Sequence, residues 1–301
     1  MISYYERYLD GEHAAVWEEL SQLGEAVYTA PLHADALAVA RETMRRVQAA
    51  LVRLQHRLRA LGYQFGVTHL DPVWCFWMED ELRPPPPYTP ALADAQDKLA
   101  ALEAAGGRLP LSLHAWYEHM ESACFVGTFV GTVADPPVEA TTGTLAESGE
   151  TGESESDGLL SQEPRTSSPR AAEAPALLRA LAPEVVQFIR AHSDRVDPFW
   201  WDWQLPSWHE LLHHRTPGMA LDIPFSPDAP VKGGKPGGIA YSFTASTPSM
   251  DGWVESERSR QRFVPYLRHC LLEWGGFPGI GEYTDLPASV MAPLTAGLPA
   301  F

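Results

Sequence analysis

Residues 99–117 read LAALEAAGGRLPLSLHAWY. Leu99 and Leu102 lie three apart, the spacing of one helix face, and Gly106-Gly107 ends that helix. Leu109-Pro110 then opens a second helix, on which Leu113, Trp116 and Tyr117 are spaced for a common face. Proline suits a helix start because its φ is pre-set and the N–H it lacks has no partner there. The unit supplies aromatic core area, and none of its residues suggests catalysis.

Around this unit the chain reads as α+β. Upstream, Val16, Leu20, Leu23 and Val27 repeat by four, three and four. After Pro31, the residues Leu37, Ala40, Met44, Val47, Leu51, Leu54, Leu58 and Leu61 alternate by three and four. That is a heptad seam along one long helix over 37–61, closed by Gly62. The two segments predict an N-terminal helical hairpin. Its short partner covers only part of the seam, so the remainder must pack on the rest of the chain or on another subunit. Arg41, Arg45, Arg46, Arg53, Arg57 and Arg59 decorate the long helix. With no aromatic residues interleaved for stacking, they read as a solvated face whose stems cover apolar surface.

An aromatic connector with Trp74, Phe76 and Trp77 leads into Pro84–Pro87, a stiff extended run taken as a boundary. It divides a hairpin region, 1–83, from an α+β domain, 84–301. Within the latter, helices are expected over 91–105 and from Leu109 to about Glu121. A strand or hairpin follows through Cys124–Val133, with an antiparallel pair at 221–225 and 239–243. A closing helix over about 262–273 is stopped by Gly275-Gly276. Residues 139–175 carry eight acidic residues against Arg165 and Arg170, hence six net negative charges, and no aromatic residue. Such a segment cannot bury enough apolar surface to offset its ordering entropy, and it reads as a disordered acidic insertion.

The 301 residues are 45% hydrophobic, with a net charge of −17. That acidity disfavours phosphate backbones and is compatible with a basic protein partner. No apolar run approaches the ~20 residues of a membrane span. The start, MISYYERYLDGEH, lacks the basic and apolar regions of a secretory signal. The expected location is the cytoplasm. Cys75, Cys124 and Cys270 form no CxxC pair, so they read as free thiols.

The loudest local motif is HELLH, with His209 and His213 as candidate zinc ligands and Glu210 as the base that would activate a water. A third ligand is required. The extended motif needs glycine at 216 and His or Asp at 219, where Thr216 and Met219 stand. Asp222 or Asp228 could serve, without a helical setting for either. A zinc-dependent hydrolase is therefore an alternative, and an assembly joined through the 37–61 helix is another. KGGKPGG (232–238) lacks the phosphate-loop spacing and reads as a hairpin loop. Trp200, Trp201, Trp203 and Trp208 read as core filler.

The 91–133 segment resembles the central region of the SUKH superfamily, the Smi/Knr-like fold. The matching residues are Leu102, Glu103, Leu109, Pro110, Ser112, Trp116 and Tyr117. Where that family has Asn-Gly after the second helix, this chain has Glu121-Ser122-Ala123. The resemblance implies an antiparallel sheet flanked by helices. It also implies a non-enzymatic protein-binding role without a cofactor, as in immunity proteins that neutralise toxins. Leu109, Pro110, Trp116 and Tyr117 would then be fold-determining, and the partner would be another protein.

Overall fold

The computed structural model describes residues 3–66, 86–106, 108–129, 186–187, 189, 197–201, 221–226, 241–245, 248–256, 259–283 and 288–301. Helix α1 (Tyr4–Leu9) begins with a capping box. The Ser3 hydroxyl accepts from the Glu6 N–H at 3.0 Å, and the Glu6 carboxylate accepts from the Ser3 N–H at 3.1 Å. Asp35 takes the next two free donors, the N–H groups of Tyr4 and Tyr5, at 2.7 and 3.0 Å. Helix α2 (His13–Gln22) and a 3₁₀ turn (Gly24–Tyr28) lead into the long helix α3 (Leu32–Ala60). Its 29 residues span roughly 43 Å. Gly62, at φ 87°, supplies the left-handed residue that ends it.

The seam residues Ala40, Met44, Val47, Leu51, Leu54 and Leu58 are buried, and Leu37 and Leu61 are half-buried. Ala36, Val39, Thr43 and Ala50 are buried as well, so α3 is covered on more than one side. The hairpin helices take one side. The helix over Leu111–His119 takes the most extensive contact, so the seam is closed within this chain. Leu23 departs from its expected burial. Helix α2 stops at Gln22, which turns Leu23 outward to 37% exposure. Buried Thr43 organises the hairpin's polar interior. Its hydroxyl takes the Trp17 indole N–H at 2.9 Å, lies 2.8 Å from the Tyr8 hydroxyl and bonds back to the Val39 carbonyl at 2.9 Å.

Strand β1 (Tyr63–Phe65) follows α3, and β2 (Tyr88–Pro90) precedes α4 (Ala95–Gly106) and α5 (Leu111–His119). Strand β3 (Met120–Cys124) continues from α5 without a loop. The second helix therefore ends at His119, short of its expected end at Glu121. Residues 121–123 are strand because Ala123 pairs with Tyr88 on one side and Trp201 on the other. All of β3 is buried, Glu121 and Ser122 included.

Strands β4 (Gly127–Phe129), β5 (Trp200–Trp201), β6 (Leu221–Ser226), β7 (Tyr241–Ala245), β8 (Trp253–Glu255) and β9 (Arg260–Arg262) complete the described sheets. These are the antiparallel sheets β1-β4, β2-β3-β5 and β6-β7-β8-β9. Helix α6 (Phe263–Arg268) runs into a π turn (His269–Glu273). Helices α7 (Pro278–Tyr283) and α8 (Ala292–Thr295) come last. The architecture is α+β, antiparallel sheets flanked by helices, with an N-terminal helical region. One buried cluster reaches from Tyr8 to Phe301 and includes residues on both sides of position 84. At its centre Trp116 meets Trp201 at 5.1 Å and Phe263 at 5.6 Å, and Trp201 stacks on Phe225 at 4.3 Å. Trp203, Trp208, the aromatic connector, the 139–175 insertion and the 232–238 loop lie outside the described residues.

Residues 249–252 serve two helix starts at once. The carbonyls of Ser249 and Met250 accept from the Leu111 and Ser112 N–H groups of α5, each at 3.0 Å. The Gly252 carbonyl accepts from the Phe263 N–H, and Asp251 Oδ2 from the Val264 N–H, both at 3.0 Å, at the start of α6. Gly252 is required because a Cβ there would sit 2.0 Å from the Phe243 ring. Asp251 is fully buried. Burial pushes its carboxyl up to about 6, against the opposing pull of the Ser112 hydroxyl, the Val264 N–H and Arg262.

Arg41, Arg45, Arg53 and Arg59 of α3 are exposed, as a solvated face requires, and Arg46 and Arg57 are half-buried; the face also makes specific bonds. Arg57 donates to the carbonyls of Leu294 and Ala296 at 2.5 and 2.8 Å, Arg53 to Gly297 at 2.8 Å, and Arg46 to Ala300 at 2.9 Å. The last residues of the sequence thus run antiparallel to α3 along one arginine-lined flank. Arg268 holds the carbonyl of buried Phe301. Arg45 and Arg46 both engage Glu42, and Arg59 covers the Phe65 ring at 5.5 Å.

Two measurements check these assignments. Arg57→Ala removes two charge-assisted donors and is expected to cost about 1–2 kcal/mol in chemical denaturation. An unchanged midpoint would contradict the strap. For Asp251 the folded value lies above the ordinary 3.8, so its stabilising protonation is complete below about pH 4 and lost as pH rises through about 6. Across that window, wild type is expected to lose stability relative to Asp251→Asn by about 3 kcal/mol. Parallel pH–stability curves would contradict this placement.

Candidate functional site

The Leu109 turn is held from both sides. Its N–H donates to Glu103 Oε1 at 3.1 Å, and its carbonyl accepts from the Tyr28 hydroxyl. Pro110 stands at the N-cap with φ −54° and ψ 139°, one position before the helix rather than inside its first turn. Its carbonyl accepts from the N–H groups of Leu113 and His114 at 3.1 and 3.0 Å. Leu109, Pro110, Trp116 and Tyr117 are all buried. These four residues lie under the surface and offer no group to a ligand.

A half-open cleft of about 200 Å³ lies over this turn. It is lined by Tyr28, His33, Leu37, Glu103, Arg108, Leu111 and His114. The 3₁₀ turn brings Tyr28, and the first turns of α3 bring His33 and Leu37 on one face. The end of α4 and the following turn bring Glu103 and Arg108, and α5 brings Leu111 and His114. The Tyr28 ring is the common wall. His33 stacks on it at 5.2 Å, and the exposed Arg108 guanidinium lies over it at 4.8 Å. Among the described residues Arg108 has no ion pair. Burial and the Glu103 charge raise the Tyr28 phenol well above its ordinary range, with Arg108 opposing. This hydroxyl is a fixed donor to the turn and not a base or nucleophile at neutral pH.

Arg41 pairs with Glu118, which neighbours the lining residue His114. The Arg41 guanidinium grips Glu118 through two contacts of 2.6 Å. Burial pushes the Glu118 carboxyl up, but the Arg41 hydrogen bonds outweigh it and the net shift is downward. His114 Nδ1 stands 3.5 Å from Glu118 Oε1, too far for a strong hydrogen bond. The lining therefore combines an aromatic face, apolar Leu37 and Leu111, two imidazoles, the Glu103 carboxylate and one guanidinium without an ion pair among the described residues. A cleft of this size suits one side chain and falls below the ~300 Å³ at which cofactor pockets begin.

His209, Glu210, His213 and Asp228 lie outside the described residues. The Asp222 backbone is in β6, opposite Thr244. Among the described residues no group of three or more His, Cys, Asp or Glu is placed to hold a metal ion. Sequence reasoning noticed Glu103 and missed Tyr28, His33, Arg108 and His114. The one available signal was their nearness to Leu109-Pro110 or to the start of the long helix.

Tyr28→Phe keeps the aromatic wall and leaves the Leu109 carbonyl without its donor. The expected cost is about 1 kcal/mol in denaturant unfolding. A loss below the error of the measurement would show that the hydroxyl does not hold the turn. Comparison of the chain with protein-family models, curated proteins and solved structures finds no match.

Proposed function

We propose that this chain is a non-enzymatic protein-binding module, and that the cleft over the Leu109 turn receives an anchoring side chain from its partner. The observation that carries the reading is the division of labour in the Leu-Pro unit. Its aromatic residues are buried as core, while the polar residues around it line a recess of side-chain size. Apart from Arg108, each wall residue of the recess belongs to a packed helix or 3₁₀ turn, so little ordering remains when a partner docks.

A Smi/Knr-like relationship belongs to the same proposal. So does an immunity-like role, with a toxin as the kind of partner that the resemblance suggests. Cytoplasmic placement is likewise part of it. Among the described residues no helix is long and apolar enough to cross a membrane. Nucleic acid is not the proposed ligand. The α3 arginines are occupied by Glu118, Glu42, main-chain carbonyls and the Phe65 ring. No cofactor enters the proposal.

The test is capture from the native lysate with three baits: wild type, Arg108→Glu, and Arg260→Glu on the edge strand β9 as a surface control. Wild type and the control are expected to retain the same protein at stoichiometric yield, and Arg108→Glu to lose it. Equal capture by all three, or by none, would sink the reading.

A further inference from the structure

We infer that the cleft is built for a carboxylate, and that the anchor it receives is an acidic side chain, with Arg108 as its cation. This rests on the binding-module reading and names the chemistry of its anchor.

The chain carries −17 overall, and several of the described arginines are held by carboxylates. Arg7 is held by Glu12 and Glu19, Arg41 by Glu118, Arg45 and Arg46 by Glu42, and Arg260 by Glu255. Arg108, like Arg59 over the Phe65 ring, has no ion pair among the described residues, and of the two it is Arg108 that lines the cleft. It is exposed at the cleft mouth, and its one contact among the described residues is the Tyr28 ring face. A guanidinium stacked on an aromatic ring keeps its in-plane N–H fork available, the geometry that binds a carboxylate through two parallel bonds. Stacking also restricts the side chain beforehand, so less rotamer freedom is lost on binding.

The other groups fit the same ligand. His33 and His114 add ring nitrogens that can donate, and Leu37 and Leu111 offer apolar contact to the methylenes of an acidic side chain. Two carboxylates face the region, and both are engaged. Glu103 Oε1 holds the Leu109 N–H at 3.1 Å. Glu118 is paired through both oxygens with Arg41. The Glu103 charge offsets that of Arg108, so the lining is close to neutral and the carboxylate is recognised by the Arg108 fork at the mouth, which has no ion pair among the described residues. On an acidic protein, long-range repulsion would restrict entry to acidic groups already brought close by a docked partner. The size agrees, since about 200 Å³ admits a single Asp or Glu side chain with its water.

Small blocked probes test this without the partner. N-acetyl-glutamate N-methylamide carries a carboxylate only on its side chain. The glutamine analogue removes the charge, and N-acetyl-alanine carries a carboxylate only at its chain end. The readout is the ring signals of His33 and His114 in NMR titrations of the full chain at millimolar probe. The glutamate probe is expected to move both signals saturably. The glutamine probe should bind at least tenfold more weakly. Arg108→Ala should lose at least tenfold, with Arg108→Lys between it and wild type. Arg108 is exposed, so an unchanged melting temperature in these variants shows that the fold is intact.

Equal response to glutamate and glutamine probes, or indifference to Arg108→Ala, overturns the inference. Tighter binding of N-acetyl-alanine overturns the side-chain assignment in favour of a chain end. If lysate capture still depends on Arg108 while no carboxylate probe binds, the anchor chemistry fails and the binding-module reading stands.

Discussion

Two helix starts meet within four residues of chain. An α-helix leaves its first N–H groups without internal partners, and burying them unpaired costs about 1–3 kcal/mol each. Here the starts of α5 and α6 both point into the core, where water cannot answer them. Residues 249–252 answer four of these donors with three carbonyls and one carboxylate. This bracket fixes the distance between α5, which carries Trp116, and α6, which follows directly from the sheet edge at β9. The aromatic packing of Trp116, Trp201 and Phe263 is possible because that distance is set. It also explains why a carboxylate sits fully buried. Asp251 supplies an acceptor that a backbone already used by neighbouring strands could not.

The long helix solves a different problem. An acidic chain that places six arginines on one helix would be expected to pair each with a carboxylate. Carboxylates serve Arg41, Arg45 and Arg46, but Arg53 and Arg57 are given main-chain carbonyls. Those contacts avoid the desolvation cost of a second buried ion. They also turn the end of α8 and residues 296–301 into part of the wall over α3. The same helix presents His33 and Leu37 to the cleft from its first turns, so one rigid rod links the strap to the proposed binding face.

Much of this fold was legible in the sequence, and the exceptions have physical causes. The α3 seam showed because a buried helix face repeats every three to four residues, and β6 with β7 because alternation marks a half-buried strand. Gly275-Gly276 showed as the end of the closing helix because left-handed backbone favours glycine. The α5–β3 junction did not show. No turn residue separates His119 from Met120, and full burial erases the alternation that marks a strand. Strands β1, β2 and β5 are too short to carry a period. The cleft was invisible for another reason. His33 and Arg108 are 75 positions apart, each an ordinary surface residue until the α3–α5 packing brings them to one tyrosine. The arginine strap left no trace either, since a main-chain carbonyl has no residue identity.

The strap has a temporal consequence. Arg57, Arg53 and Arg46 precede their acceptors by 237, 244 and 254 positions. At a ribosomal pace of about 5–20 residues per second, the long helix waits roughly 12–50 s for the chain that will cover that flank. During this interval the flank beside its seam is an uncovered surface on a nascent chain, while the hairpin and α5 are already made and can meet the seam itself. The arginines beside it are then fully hydrated charges, and such charges oppose association between neighbouring nascent chains. The same guanidiniums therefore act first as gatekeepers of an unfinished surface and later as donors to a finished one.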